Sequence, residues 1–170
     1  VTCVERFDGM FAFVVYDTRR RLLFGARDRM GKKPFYFLPS PSSDGAVQFA
    51  CASELKALRA HPSLRRDMGL SESGLIGFLL NDYVPGEETI YSGVKRLQAG
   101  CALQFGLKGS DRPGLSVWRY WDIEVGNGET INANSEAEIE STGDQLLSLL
   151  DRGVERRLLA DVPLGLLLSG

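Results

Sequence analysis

The 170-residue sequence has little of the material from which metal sites, disulfide frameworks and membrane spans are built. It contains one histidine and three cysteines, and Cys3, Cys51 and Cys101 lie far apart. An odd number of cysteines without a CxxC pair indicates neither a zinc knuckle nor a disulfide framework. The longest apolar runs, 11–16 and 164–168, are far shorter than the roughly 20 residues that cross a bilayer. We therefore expect a cytoplasmic protein without metal ligands or membrane contact.

The sequence also lacks a strong charge of either sign. Its 20 Lys and Arg against 22 Asp and Glu give a net charge of −2, which does not favour a nucleic-acid partner. Apolar residues make up 44% and charged residues 25%, a globular composition that excludes disorder, collagen and coiled coil. The sequence starts at Val1 without a signal-peptide pattern and stops in an apolar run followed by Ser-Gly. We expect an internal fragment of a longer protein.

Short apolar segments separated by turns dominate residues 1–125. Runs at 10–17, 22–26, 35–38 and 47–51 predict four strands of an antiparallel meander, and 94–107 with 115–123 predict a second hairpin. In the first strand, both the odd-numbered and the even-numbered residues are apolar. Because these two sets lie on opposite faces, the pattern predicts a strand covered on both faces. The two expected faces are Phe11, Phe13 and Val15 against Ala12, Val14 and Tyr16.

Helical patterns follow. A helix capped by Ser53 is expected to end near His61-Pro62, and a second helix is expected from Ser71 to about Tyr83. Residues 126–134, rich in Gly and Asn, predict a linker between domains 1–125 and 135–170. The capping-box pair Ser135 and Glu138 opens a long apolar periodicity, which predicts a helix to about 159. Leu164 to Leu168 then predicts a buried parallel strand that leads into Ser169-Gly170.

Several blocks, in order, resemble glutamine-hydrolysing asparagine synthases. The string 160–170, Ala-Asp-Val-Pro-Leu-Gly-Leu-Leu-Leu-Ser-Gly, resembles the segment that opens the synthetase domain of that family. Blocks that resemble the family's glutaminase domain are Asp8–Phe13, Ala26–Tyr36, Ala52–Leu58, Tyr83–Gly86, Leu97–Gly100 and Tyr120-Trp121. The resemblance covers nearly the whole chain.

The resemblance implies an α+β fold. A layered antiparallel sandwich, the second half of an N-terminal-nucleophile glutaminase (1–125), would be followed by the first helix and strand of an α/β nucleotide-binding domain. It implies a ligase that uses glutamine as ammonia donor and ATP, with Mg²⁺, to amidate aspartate. Leu167 would line the adenine-nucleotide site, and Ser169 and Gly170 would begin the phosphate loop. Whether the full-length protein forms a homodimer stays open.

The resemblance also marks what these residues lack. The family's catalytic cysteine leads the mature chain and its glutamine-binding residues come early, so no catalytic residue is expected here. Cys3 and Cys51 fit ordinary packing. For Arg27-Asp28 with Gly31 and the following Pro34, a structural role at a strand end is favoured over a ligand site. The lone His61 is expected in solvent.

Two alternatives remain. One is a related ATP-dependent ligase with a degenerate glutaminase, of the β-lactam-forming or peptide-cyclising type. The other is a glutaminase-like module that serves only in interaction or assembly. The isolated 170 residues are expected to be inactive in either enzymatic case.

Overall fold

The structure is a computed structural model and describes residues 2–39, 49–123 and 135–168. The chain divides into two units, Val1–Ile123 and Glu124–Gly170. The first unit combines helices with antiparallel sheets, which confirms the expected α+β class. Its elements are a 3₁₀ helix (Thr2–Arg6), β1 (Ala12–Asp17), β2 (Leu22–Arg27), β3 (Tyr36–Leu38), β4 (Ala50–Ala52), α1 (Leu55–Ala60), α2 (Pro62–Asp67), α3 (Glu72–Asn81), β5 (Lys95–Arg96), β6 (Cys101–Gly106) and β7 (Gly114–Arg119).

The strands form two sheets, so the expected single meander is wrong. The described strands are ordered β1-β2-β6-β7 in one sheet and β4-β3-β5 in the other, and all pairs are antiparallel. After β2 the chain leaves the first sheet, and the side chain of Phe35 packs over that sheet. Gly25 makes this approach possible, since a Cβ atom there would lie 2.9 Å from Phe35 Cζ.

The expected single strand over 94–107 is also divided between the two sheets. β5 pairs with β3, whereas β6 pairs with β2 and β7. The division falls at Gly100, which has a φ of 64°, a conformation that glycine adopts without strain. A Cβ atom at Gly100 would lie 2.3 Å from the Trp121 carbonyl oxygen, so the turn also needs a residue without a side chain.

The main core lies between the two sheets. Phe35 and Phe37 from the β3 segment pack against Leu103 of β6, and all three are buried. Cys51 packs against this cluster, as expected from the sequence. On the opposite face of the first sheet, Val4 of the 3₁₀ helix is buried against the Ala26 side of the sheet. The first sheet is therefore covered on both faces near its centre.

β1 follows the expected alternation but not the expected coverage. Ala12 packs toward the core between the sheets and Phe13 toward the opposite cluster. Val14, Val15 and Tyr16 are nevertheless 38%, 54% and 48% exposed. The reason is that β1 is the terminal strand of its sheet, so it has a neighbour on one side only among the described residues.

Two short helices replace the expected single helix and loop. α1 begins one residue later than expected, because its N-cap is Glu54 rather than Ser53, and Glu54 makes no side-chain cap bond. α2 was not expected, since Pro62 indicated only the end of α1. Pro62 occupies the first turn of α2, where a fixed φ and a missing N–H are tolerated. His61 joins the two helices and is exposed, as expected.

The second unit contains α4 (Glu136–Glu155), capped as expected by the reciprocal Ser135 and Glu138 box. The helix ends four residues before 159, because the Arg157 and Leu158 amides bond to carbonyls three residues back and tighten the last turn. Leu164–Leu168 form no strand and are exposed, since no described strand pairs with them; the expectation of a buried strand is wrong for this structure. The expected linker at 126–134 lies outside the described residues.

α3 matches the expected second helix, with Ser71 as N-cap accepting a bond from the Gly74 amide. Gly74 is the buried residue of this helix, and it faces the 89–90 loop. Most of the apolar side chains on α3 are exposed, so its attachment depends on this close approach. Among the described helices of both units, none is long and apolar enough to span a membrane.

Gly74→Ala should destabilise the first unit. The added Cβ atom would lie 2.2 Å from the Thr89 carbonyl oxygen, so the helix or the loop must move. Overpacking of this kind costs about 1–3 kcal/mol, and we expect a loss of about 2 kcal/mol in urea unfolding. Gly69→Ala is the matched control, because its Cβ atom meets nothing within 4 Å and its stability should hold or rise slightly. Equal stabilities of the two variants would contradict the close contact.

Candidate functional site

The expected nucleotide-binding residues are not assembled by the described part of the chain. The Leu167 side chain is fully exposed, in a segment without regular secondary structure. Ser169 and Gly170 lie outside the described residues. Their assignment to a phosphate loop therefore stays a prediction.

The densest polar arrangement instead surrounds Asp28, at the end of β2. This carboxylate is only 1% exposed and accepts backbone N–H bonds from Lys32 and Lys33 at 2.9 Å each and from Phe11 at 3.3 Å. The Asp28 carbonyl oxygen accepts two more, from the Gly31 and Gly100 amides at 3.0 Å. One residue thus joins the start of β1, its own following loop and the turn before β6.

Arg27 provides the complementary half of the arrangement by donating to carbonyl oxygens. Its Nε bonds to the Lys33 oxygen at 2.7 Å, its Nη1 to the Leu97 oxygen at 2.6 Å and its Nη2 to the Gly31 oxygen at 2.5 Å. The Tyr120 hydroxyl donates to the Arg27 carbonyl oxygen at 2.7 Å. We call Arg27 and Asp28, with the 28–34 loop that they hold, the Arg-Asp clamp.

The electrostatics of the clamp agree with a structural role. Burial disfavours the ionised Asp28, but the backbone N–H groups of Lys33, Lys32 and Phe11 outweigh it and hold its pKa below the usual value. Burial, followed by the nearby Arg96, lowers the pKa of Arg27. Because both side chains bond to backbone groups, they hold the chain rather than a substrate, which confirms the favoured interpretation.

A cavity that was not expected from the sequence lies beside α3. Its volume is about 440 Å³, and its wall is largely apolar. Arg96 borders it and donates from Nη2 to the Val84 oxygen at 2.6 Å and from Nε to the Gly86 oxygen at 3.0 Å. Residues that line it are Tyr36, Leu55, Phe78, Asp82, Tyr83, Val84, Glu88, Thr89, Ile90 and Arg96. The only signal in the sequence was the Tyr83–Gly86 block, which indicated a helix end.

Two polar residues that line this cavity, Glu88 and Thr89, bond to groups outside its lining. Lys95 Nζ lies 2.5 Å from the Glu88 carboxylate and 3.3 Å from that of Glu87. Thr89 is buried and its hydroxyl donates to backbone carbonyl oxygens of the same loop. The cavity can therefore hold an apolar group, and the exposed Asp82 carboxylate lies at its wall.

Cys51 and Cys101 do not have the lowered pKa of a reactive thiol. Burial raises the pKa of Cys51 and of Cys101, whereas a nucleophilic cysteine needs a lowered pKa. Cys3 is exposed in the 3₁₀ helix. Across 2–39, 49–123 and 135–168, no three His, Cys, Asp or Glu side chains are placed to hold a metal ion.

The family-model comparison matches residues 1–121, the part that contains the clamp and both sheets, to the glutamine amidotransferase domain. The chain belongs to the glutamine amidotransferase family. Asparagine synthetase [glutamine-hydrolyzing] 3 of Bacillus subtilis is 37% identical over 99% of this chain and 24% of its own length. A putative asparagine synthetase [glutamine-hydrolyzing] of Mycobacterium tuberculosis is 33% identical over 98% of this chain and 24% of its own length.

A third relative carries a different name. Amidase chyE of Penicillium rubens is 31% identical over 98% of this chain and 22% of its own length. The chain thus spans about a quarter of the length of these curated relatives. The amidotransferase match ends at residue 121, whereas all three alignments extend beyond it into the second unit.

Asp28→Asn should strongly destabilise this amidotransferase unit at neutral pH. The asparagine side chain places an NH₂ group where a carboxylate oxygen accepted backbone N–H bonds. At least one backbone N–H group is then left unpaired, which costs about 1–3 kcal/mol. Because the folded pKa of Asp28 is depressed, its stabilisation is present above the unfolded pKa of about 3.9 and is lost as pH falls through the lower folded value. Urea unfolding should therefore show a wild-type advantage that shrinks below about pH 4.

Asp17→Asn is the matched control for this prediction. Asp17 also accepts two backbone N–H bonds, from Arg19 and Arg20 at 3.0 Å each, but in an exposed turn. Asparagine forms the same kind of turn, so the loss should be well under that of the Asp28 variant. Equal losses at the two positions would contradict the special role of the clamp.

Proposed function

We propose that this chain is part of an ATP-dependent amidotransferase that makes asparagine from aspartate, with glutamine as the ammonia donor. The observation that carries the proposal is the extent of the similarity to asparagine synthetases. It covers 98–99% of this chain and so includes the second unit, which the amidotransferase domain match leaves out. A glutaminase without a synthetase would need no such similarity beyond residue 121.

The chemistry requires two sites. In one, glutamine is hydrolysed to glutamate and ammonia. In the other, the side-chain carboxylate of aspartate attacks the α-phosphorus of ATP and pyrophosphate leaves, which converts a poor acyl donor into an adenylate with a good leaving group. Ammonia then attacks the acyl carbon and AMP leaves, which gives asparagine. Keeping the ammonia away from water preserves it as a neutral nucleophile.

The first unit contributes its scaffold to this scheme. The clamp fixes the loop and strand ends of the amidotransferase domain, and burial raises the pKa of the Cys51 and Cys101 thiols. The glutaminase nucleophile, a leading cysteine in the family, is therefore proposed to come from polypeptide outside these 170 residues.

The second unit is proposed to contribute the start of the ATP site, through Leu167, Ser169 and Gly170. In the described residues nothing forms a nucleotide cradle, since Leu167 is exposed and 164–168 forms no strand. No acidic cluster for Mg²⁺ occurs among them either. The assignment of ATP and Mg²⁺ rests on the resemblance of 160–170 to the segment that opens the synthetase domain.

The similarity to amidase chyE supports a second candidate. In it, the same architecture would serve a carbon–nitrogen ligase or amidase that uses an acceptor other than aspartate, or an amine other than ammonia from glutamine. A non-catalytic module has no comparable support among the relatives, all of which are named as enzymes. Pyrophosphate release with aspartate, tested against other carboxylic acids, separates the two enzymatic candidates.

Gly170→Val in the full-length protein should abolish aspartate-dependent pyrophosphate release and leave glutaminase activity largely intact. A branched side chain would keep backbone N–H groups from approaching the phosphate oxygens, whereas glutamine hydrolysis takes place in another domain. Gly143→Val on α4 is the matched control, because its Cβ atom meets nothing within 4 Å. This control should retain both activities.

Two outcomes would count against the proposal. Pyrophosphate release by the Gly170 variant at the wild-type rate would remove these residues from the phosphate loop. A wild-type protein that releases pyrophosphate with another carboxylic acid but not with aspartate would favour the chyE-like candidate.

A further inference from the structure

Another cavity of the first unit has a wall that concentrates positive charge. It lies between α1, α2 and the loop before β5, and its volume is about 470 Å³. Among the described residues that line it, three are cationic and none is acidic: Leu55, Lys56, Arg59, Ala60, Arg65, Ile90 and Tyr91. We call it the arginine cavity. The α3 cavity differs, because Asp82 and Glu88 are among its lining residues. The wall of the arginine cavity therefore favours an anionic ligand.

This local charge is opposite to that of the chain. Residues 54–67 contain four cationic and two acidic residues, a net charge of +2, whereas the chain has −2 and the other residues together therefore carry −4. Glu54 pairs with Lys56 at 2.6 Å, which leaves the guanidinium groups of Arg59 and Arg65 as the main charge of the cavity. An extended polyanion would be repelled outside the cavity, whereas a compact anion would not.

Both guanidinium groups retain hydrogen-bond donors for a ligand. Arg59 Nη1 donates to the Tyr91 hydroxyl at 3.0 Å, and Arg59 Cζ lies 5.5 Å from the centre of the Tyr91 ring. These contacts position the Arg59 group but use one of its five N–H donors. Within the described part of the chain, the Arg65 side chain has no hydrogen-bond or ion-pair partner. Two guanidinium groups are therefore available to the same cavity.

The remaining wall of the arginine cavity is apolar. Leu55, Ile90 and Tyr91 are half-buried there, and Leu55 and Ile90 also line the α3 cavity. A volume of about 470 Å³ lies within the range of small-molecule sites. The cavity thus offers an apolar or aromatic body a place beside the two arginines.

We infer that the arginine cavity binds a phosphate monoester with an apolar or aromatic body. A phosphate monoester carries up to two negative charges and three acceptor oxygens, which match two guanidinium groups, whereas a carboxylate carries one charge. The inference does not depend on the proposed reaction, since Leu167, Ser169 and Gly170 lie in the second unit.

Titration calorimetry of the full-length protein with phenyl phosphate, in a buffer without phosphate, tests the inference. Benzoate is the matched probe, because it keeps the aromatic ring but carries a single charge, and it should bind at least about tenfold more weakly. Arg65→Gln should weaken phenyl phosphate binding at least about tenfold, because one charge-assisted hydrogen bond corresponds to about that factor in Kd.

Arg66→Gln is the matched control variant. Arg66 is the next exposed arginine of α2 but does not line the cavity, so its variant should keep the wild-type Kd within about twofold. Both variants should keep the wild-type thermal midpoint, since both side chains are exposed, and both should keep the wild-type rate of pyrophosphate release.

Four results would overturn the inference. Absence of phenyl phosphate binding by a protein that still releases pyrophosphate would do so and leave the proposed function intact. Benzoate binding as tight as that of phenyl phosphate would exclude a phosphate site. Equal losses in Arg65→Gln and Arg66→Gln would indicate general surface charge, as for a polyanion. Binding that is lost in Gly170→Val but kept in Arg65→Gln would assign the ligand to the proposed ATP site.

Discussion

The buried Asp28 carboxylate is the interaction on which the first unit depends. Its side chain bonds to the amide before β1 and to two amides of the following loop, and its carbonyl oxygen bonds to the amide before β6. The Arg27 guanidinium donates to two carbonyl oxygens of the same loop and to the carbonyl oxygen of Leu97. These bonds hold the loop that connects β2 to the buried Phe35 and Phe37 of the core. A buried charge is tolerated here because several backbone donors replace its hydration.

The charged side chains of this arrangement stabilise the backbone of the amidotransferase unit. Burial raises the pKa of Cys51 and of Cys101, the described residues form no metal cluster, and the Arg27 and Asp28 side chains bond to backbone groups. The unit also presents the edge of β1 and exposed apolar side chains on α3.

Much of this fold could be predicted from the sequence because its signals are local. The β1–β2 hairpin, the Ser71 cap of α3 and the Ser135 box of α4 each depend on residues a few positions apart. The division into two sheets could not be predicted, because it depends on the packing of Phe35 over Gly25 and on a turn at Gly100 that faces Trp121. The structural role of Arg27 and Asp28 was predicted from residue types, whereas the partners Leu97 and Tyr120, about 70 and 93 residues away, were not. The α3 cavity could not be predicted either, because its lining residues come from segments that are distant in sequence.

Amide exchange at Lys32 and Lys33 tests the central claim most directly. Both side chains are exposed on a loop, so exposure alone would favour rapid exchange. If the clamp organises the unit, these two amides should exchange as slowly as that of the buried Leu103, through unfolding of the whole unit. Arg19 and Arg20, whose amides bond to the exposed Asp17 carboxylate, should exchange fast and serve as the internal comparison. Exchange of Lys32 and Lys33 at the rate of Arg19 and Arg20 would contradict the account.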